Sequence, residues 1–228
     1  MDYLKALSRE LEAFDSALDG DLSAPVAHCG DWSVADLAVH MGAGNLWVVT
    51  AVRERHGRGY DEGAAPRERV ALREWHARSA RELVAALSVD PATEAWTFAL
   101  PRSVAFWLRR RALETLVHRW DAEHARGATS PMDPALAADG VAEVFGTMAP
   151  RMVSRGVALP PARAVRLTAT DTGEQWAHGP GEPVAEVAGT AQDLLLMLWG
   201  RASHDAASLT WTGDRAAGAE ALSGPLVP

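Results

Sequence analysis

The chain has 228 residues, 48% of them apolar and 23% charged, enough for one large or two small cores and too balanced for a disordered or fibrous protein. Its 30 acidic and 22 basic residues leave a formal charge of −8, the wrong sign for neutralising phosphates, so no nucleic-acid partner is expected. A single cysteine, Cys29, allows no internal disulfide and no cysteine-based zinc cluster, which leaves His and carboxylates as the residue types able to ligate a metal.

Tyr3, Leu4, Leu7, Leu11 and Phe14 recur at helical spacing and predict an opening helix that ends at the break from Gly20 to Pro25. Asp2, Lys5, Arg9 and Glu10 interrupt this stretch, so it does not read as a secretory signal. No apolar run reaches the roughly 18 residues a membrane span requires. A cytoplasmic protein with no membrane partner is expected. Ser33, with Asp36 three residues on, starts a second helix through His40 and Trp47 to about Arg55. The polar stretch Gly57 to Pro66 separates it from a third, Arg67 to Leu87, with Val70, Trp75, Leu83 and Leu87 inward. The segment Asp90 to Pro101 reads as irregular. Ser103 caps a fourth helix, Val104 to about Ala125, closed by Gly127 and Pro131. Pro134 opens a fifth that stops before Pro160 and Pro161.

Beyond Pro161 the texture changes. Ala164 to Thr170 and Glu174 to His178 alternate as strands around Asp171, Thr172 and Gly173, a hairpin signal, and Val184 to Val187 is a third short strand. Thr190 caps an apolar helix through about Ala202, Ser208 to Thr212 is a fourth strand, and Asp214 to Leu222 closes as a helix. The expected fold class is α+β: an up-and-down helical bundle over residues 1–158, then a small α/β domain over 159–228.

The stretch Arg109 to Asp121 (RRRALETLVHRWD) carries chemistry. On a helix Glu114, His118 and Asp121 share one face, a carboxylate and an imidazole one turn apart. A bare pair of this kind is more often an exposed helix pair, but Val117 and Trp120 mark buried surroundings, where an imidazole beside a carboxylate must pair or ligate. His40 sits among apolar residues on the inner side of the second helix. Alone it reads as a core histidine with a hydrogen bond; with Glu114 and His118 it completes a two-His, one-carboxylate set from facing helices, one coordination position being open. Zinc suits this set, and iron and nickel use the same ligand types. Asp121 is either the acceptor for the proton on a ligating His or a surface carboxylate paired with an Arg. Arg109, Arg110 and Arg111 point in different directions and are expected to be mostly solvated or salt-bridged. Cys29 has no adjacent cation to lower its pKa and is not expected to act as a nucleophile, and Trp32, Trp47, Trp107 and Trp120 read as bundle core.

The segments Gly30 to His40 (GDWSVADLAVH), Arg110 to Asp121, Leu194 to Arg201 (LLLMLWGR) and Leu209 to Asp214 (LTWTGD) together resemble the mycothiol-dependent maleylpyruvate isomerase family. That family belongs to the DinB-like four-helix metalloproteins, with an appended domain similar to sterol carrier folds. The resemblance implies zinc on His40, Glu114 and His118, with mycothiol filling the open position as a thiolate that attacks a small electrophile. In the isomerase this means addition to the double bond of maleylpyruvate, rotation, and elimination to fumarylpyruvate. Leu113 departs from the pattern, since relatives often carry a His there. Arg201, after Gly200, matches the family segment and is expected to project into a cleft between the domains and pair with a substrate carboxylate; a charge favourable to the helix end is its plainer reading. The same ligands also fit a mycothiol S-transferase, a hydrolase using metal-bound water, or a non-catalytic metal or small-ligand binding protein.

Overall fold

The structure, a computed structural model, describes residues 1–59 and 64–228; the middle of the polar stretch Gly57 to Pro66 lies outside them. The chain divides into two compact units, Met1–Ser130 and Pro131–Pro228.

Among the described residues, four α-helices build the first unit: α1 (Tyr3–Ala17), α2 (Val34–Arg53), α3 (Arg69–Leu87) and α4 (Val104–Ala125). Local chemistry sets several of their starts. Asp2 accepts from the Lys5 amide at 3.0 Å, and Ser33 and Asp36 form the reciprocal capping box, Asp36 N–H donating to Ser33 Oγ at 3.2 Å and Ser33 N–H to Asp36 Oδ2 at 3.1 Å. Ser103 holds the N-cap position of α4 without the side-chain hydrogen bond expected of it. Helix α1 packs along α4 and α2 along α3. Leu7, Leu11 and Phe14 of α1 are buried with Leu37, Met41, Leu72, Leu83, Leu113 and Leu116. Val70, expected inward, is 60% exposed. The buried stripe of α3 runs through Leu72, Trp75, His76, Ser79 and Leu83, and residue 70 lies about 200° around the helix from residue 72.

Because α4 is buried on most of its circumference, its charged residues must find partners inside. Arg119 does so through Glu10 of α1, at 2.9 Å from its Nε, and through Glu123 at 2.8 Å. Between α2 and α3 the fit is close enough that a Cβ on Gly42 would stand 2.2 Å from the Trp75 ring. Gly42→Ala should therefore lower stability. The overpacking penalty of about 1–3 kcal/mol outweighs a helix-propensity gain of about 1 kcal/mol. A urea midpoint equal to or above that of the unsubstituted protein would count against this packing.

The second unit contains α5 (Pro134–Glu143), a π turn (Val144–Met148), α6 (Ala149–Ser154), β1 (Ala164–Ala169), β2 (Gln175–His178), β3 (Pro183–Gly189), α7 (Ala191–Leu198), β4 (Thr210–Gly213) and α8 (Arg215–Ala221). The sheet order is β2-β1-β3-β4, with β1 parallel to β3 and the other two pairs antiparallel. The change of periodicity puts the expected boundary at 158; α5 packs against α7, and the second compact unit begins at Pro131. The expected fifth helix is interrupted rather than continuous. Pro150 has no N–H to offer a carbonyl one turn back, and the Ala149 amide instead reaches Val144 O, five residues behind. Helix α7 ends at Leu198 rather than near Ala202 because Gly200 takes φ +70° and the Arg201 amide turns back to Leu196 O at 2.7 Å. Among the described residues no helix is long and apolar enough to cross a membrane.

Candidate metal centre

Helix α4 places Glu114 and His118 one turn apart, and α2 presents His40 to them. His40 Nε2 lies 3.9 Å from Glu114 Oε1, and the two imidazole rings meet edge-on with centroids 5.3 Å apart. One donor atom from each of the three residues falls within 4.8 Å of the others. Four-coordinate zinc with bonds near 2.0–2.2 Å holds its donors about 3.4 Å apart, so the set fits after side-chain adjustments of roughly half an ångström to one ångström. The side chains are 7% exposed at His118, 17% at Glu114 and 32% at His40, which leaves the centre open on the His40 side. The Trp32 ring stands 5.0 Å from that of His40, brought there by the turn in which Val26 N–H donates to Trp32 O at 2.8 Å.

Asp121, 1% exposed, accepts at Oδ2 from His118 Nδ1 at 3.0 Å. A carboxylate only accepts, so Nδ1 carries a proton, and in the neutral imidazole this leaves the lone pair on Nε2, the arrangement a ligating imidazole needs. This contact decides between the two sequence readings of Asp121 in favour of the histidine partner. The Cys29 thiol reaches the same oxygen at 3.8 Å, and Cys29, His118 and Asp121 form a second set of donors within 4.8 Å. Only the loop fold shows this proximity, because ninety-two residues separate Cys29 from Asp121.

Of the arginines expected to be solvated or salt-bridged, Arg110 and Arg111 are salt-bridged, and they are buried at the centre. Arg110 Nη2 lies 3.3 Å from Glu114 Oε1, and Arg111 Nη1 donates to Glu114 Oε2. Burial by itself would raise the carboxyl pKa of Glu114. The fields of Arg110 and Arg111, then of His40 and His118, outweigh it and hold the group far below the ordinary carboxylate range. Glu114 is thus ionised at any physiological pH. The signal was present in the sequence: Arg110 and Arg111 stand four and three residues before Glu114, the spacings at which helical side chains meet. Leu113 is buried in the bundle core. Arg201 belongs to the second unit, where Nη1 donates to Trp199 O at 2.7 Å and the guanidinium lies 5.6 Å from the Trp199 ring centroid.

Comparison with known proteins places these residues in a family context. Residues 4–123 match the mycothiol maleylpyruvate isomerase N-terminal domain, and residues 135–220 match the C-terminal domain of the same proteins. Two uncharacterized proteins of Mycobacterium tuberculosis, from strains CDC 1551 / Oshkosh and H37Rv, are each 28% identical over 167 residues, covering 68% of this chain and 85% of theirs. A crystal structure of the mycothiol-dependent maleylpyruvate isomerase superposes with a TM-score of 0.69 at 16% identity, over 92% of this chain and 91% of that one. A histidine-to-alanine mutant of that isomerase gives 0.65 at 17% identity with the same coverage.

Proposed function

The chain belongs to the mycothiol maleylpyruvate isomerase family, and from that premise we propose that it is a metal-dependent enzyme using mycothiol to isomerise maleylpyruvate or a closely related unsaturated acid. The observation that carries this reading is the convergence of His40, Glu114 and His118 on one accessible point, with Asp121 setting the His118 tautomer.

A divalent metal on these three residues, zinc by the nature of the donors, would supply the Lewis acidity that keeps a bound thiol deprotonated at neutral pH. The protein supplies the rest. Glu114 is ionised in advance by Arg110 and Arg111, which offset its charge as they offset that of the nearby Asp121, so a divalent metal held here would keep most of its own positive charge for an anionic thiol and an acidic substrate. His118 is held in one tautomer. The open side at His40 admits the co-substrates.

Mycothiol held as a thiolate at this centre would supply a nucleophile for reversible addition to the cis double bond, the chemistry by which a cis acid becomes trans with no net change in thiol. From the family segment Leu194 to Arg201 we infer that Arg201 pairs with a substrate carboxylate, and Arg201→Ala should then reduce turnover while leaving thiol binding nearly intact.

The purified protein should carry about one equivalent of divalent metal. Its cobalt(II) form should gain a sulfur-to-metal charge-transfer band on addition of mycothiol, and maleylpyruvate should be converted to fumarylpyruvate only when the thiol is present, without consuming it. Stoichiometric thiol loss would instead identify an S-transferase acting through the same site. If cobalt shows no sulfur coordination and no electrophile reacts in a thiol-dependent way, the thiol reading is wrong.

A further inference from the structure

Arg111 is anchored more elaborately than a simple ion pair to Glu114 requires. Its side chain is buried, and its fork reaches two helices: Nη1 donates to Glu114 Oε2 on α4, while Nη2 donates to Asn45 Oδ1 on α2 at 2.7 Å and approaches Met41 O at 3.5 Å. Asn45, fully buried, is itself fixed by donating from Nδ2 to Ser79 Oγ on α3 at 3.2 Å, and that hydroxyl donates to His76 O at 2.7 Å. The direction of this chain is unambiguous, because a guanidinium only donates and Asn45 must turn its oxygen toward it. Space for the fork exists because residue 44 is glycine; a Cβ there would stand 3.0 Å from Arg111 Nη1. Arg111 Nε has no hydrogen-bond partner among the described residues, an unfavourable arrangement that nevertheless keeps both terminal nitrogens aimed.

We propose that Arg111 is a positioning residue that occupies Glu114 Oε2, so that Glu114 meets the metal through Oε1 alone. This rests on the metal-dependent reading above. A carboxylate free on both sides can chelate through two oxygens and fill the coordination position that a thiol must enter. With Oε2 held by Arg111, only Oε1 faces His40, at 3.9 Å from its Nε2. Arg110 approaches that oxygen at 3.3 Å and leaves it a second lone pair. The Asn45 and Ser79 links tie the orientation of Glu114 to three helices, so the carboxylate does not swing when the metal leaves. The fork matters beyond its charge, because a lysine ammonium cannot span Asn45 and Glu114 in one plane.

The test uses the full chain, zinc competition against a chromophoric chelator, and the visible spectrum of the cobalt(II) form. Arg111→Met and Arg111→Lys should each weaken zinc binding about 10–100-fold, the usual consequence of losing a group that orients a ligand. Their cobalt(II) bands should drop in intensity as four-coordinate geometry gives way to a higher coordination number. Arg111→Lys with unaltered affinity and spectrum would show that only charge matters and overturn the proposal. Tighter zinc binding in Arg111→Met would do the same, by showing that the guanidinium merely repels the metal. If Arg111→Met does not fold, judged by circular dichroism, Asn45→Ala decides, since it leaves the Arg111–Glu114 pair in place. A roughly tenfold loss supports the positioning role, and no change overturns it. Should the unsubstituted protein bind no zinc, the metal reading falls first, before any variant is made.

Discussion

Glu114→Ala should abolish stoichiometric metal binding and also lower the stability of the metal-free protein by about 3–5 kcal/mol, whereas His40→Ala should abolish the former and change the latter by about 1 kcal/mol or less. The contrast follows from what each side chain leaves behind. Removing Glu114 takes its carboxylate away from two buried guanidiniums, Arg110 at 5% and Arg111 at 2% exposure, and among the described residues Arg111 then keeps the neutral acceptors of Asn45 and Met41. Removing His40 takes away an imidazole that is one-third exposed and leaves no buried charge uncompensated. Urea unfolding in the presence of a chelator separates the two effects, since no metal then contributes to either midpoint. Equal losses of stability would mean that Arg110 and Arg111 relax to solvent when Glu114 is gone, and that the electrostatic centre described here is not rigid.

Acid should destabilise the first unit through His76. This α3 imidazole is fully buried and neither ring nitrogen has a hydrogen-bond partner among the described residues. Burial, aided by the field of Arg111, lowers its pKa from 6.5 to about 4. Asp15 Oδ1 lies 4.0 Å from Nδ1 but is 42% exposed, too distant and too well solvated to hold a proton there. Above pH 6.5 both the folded and unfolded forms are neutral at this position, and stability is unaffected. Below it the unfolded chain takes up a proton that the folded chain refuses, so stability falls until about pH 4 and then levels. At 1.36 kcal/mol per unit the total is roughly 3 kcal/mol. His76→Leu should flatten this segment of the stability–pH curve relative to the unsubstituted protein. A curve of unchanged slope between those two pH values would show that His76 is protonated in the fold.

What could be read from the sequence depended on the range of the interaction. The Ser33/Asp36 box, the Asp171 to Gly173 hairpin and the Thr190 cap involve residues a few positions apart, and the elements they start or join stand close to where the pattern puts them. Periodicity also set His40, Glu114 and His118 on inward faces, and the structure brings the three together. Features that depend on a distant partner were harder to see. Val70 is apolar but lies off the stripe. Helix α5 reads as one more bundle helix, yet its partner α7 comes nearly fifty residues later in the sequence. The spacing of Arg110 and Arg111 from Glu114 permits their ion pairs, but a polarity pattern does not distinguish an exposed pair from one buried in the bundle. The approach of Cys29 to Asp121 is invisible until the loop before α2 folds.

The pairing of helices in the first unit bears on how it opens. Helices α1 and α4 share a long contact, as do α2 and α3, while α2 touches α4 over a shorter stretch. The bundle is therefore two clasped pairs joined along a narrower seam, and His40 stands on one side of that seam with Glu114 and His118 on the other. A metal bound by all three acts as a rivet across the junction, and it protects the closed form in proportion to its affinity. Backbone amides of α2 near His40 should then exchange with deuterium more slowly when metal is present, while amides along the α1–α4 contact change little. The same seam would set the order of loss for a metal held by all three: as the seam loosens, the bond to His40 would break before those to the single-helix pair of Glu114 and His118, so loss of that one bond would report separation of the pairs before the helices themselves unravel.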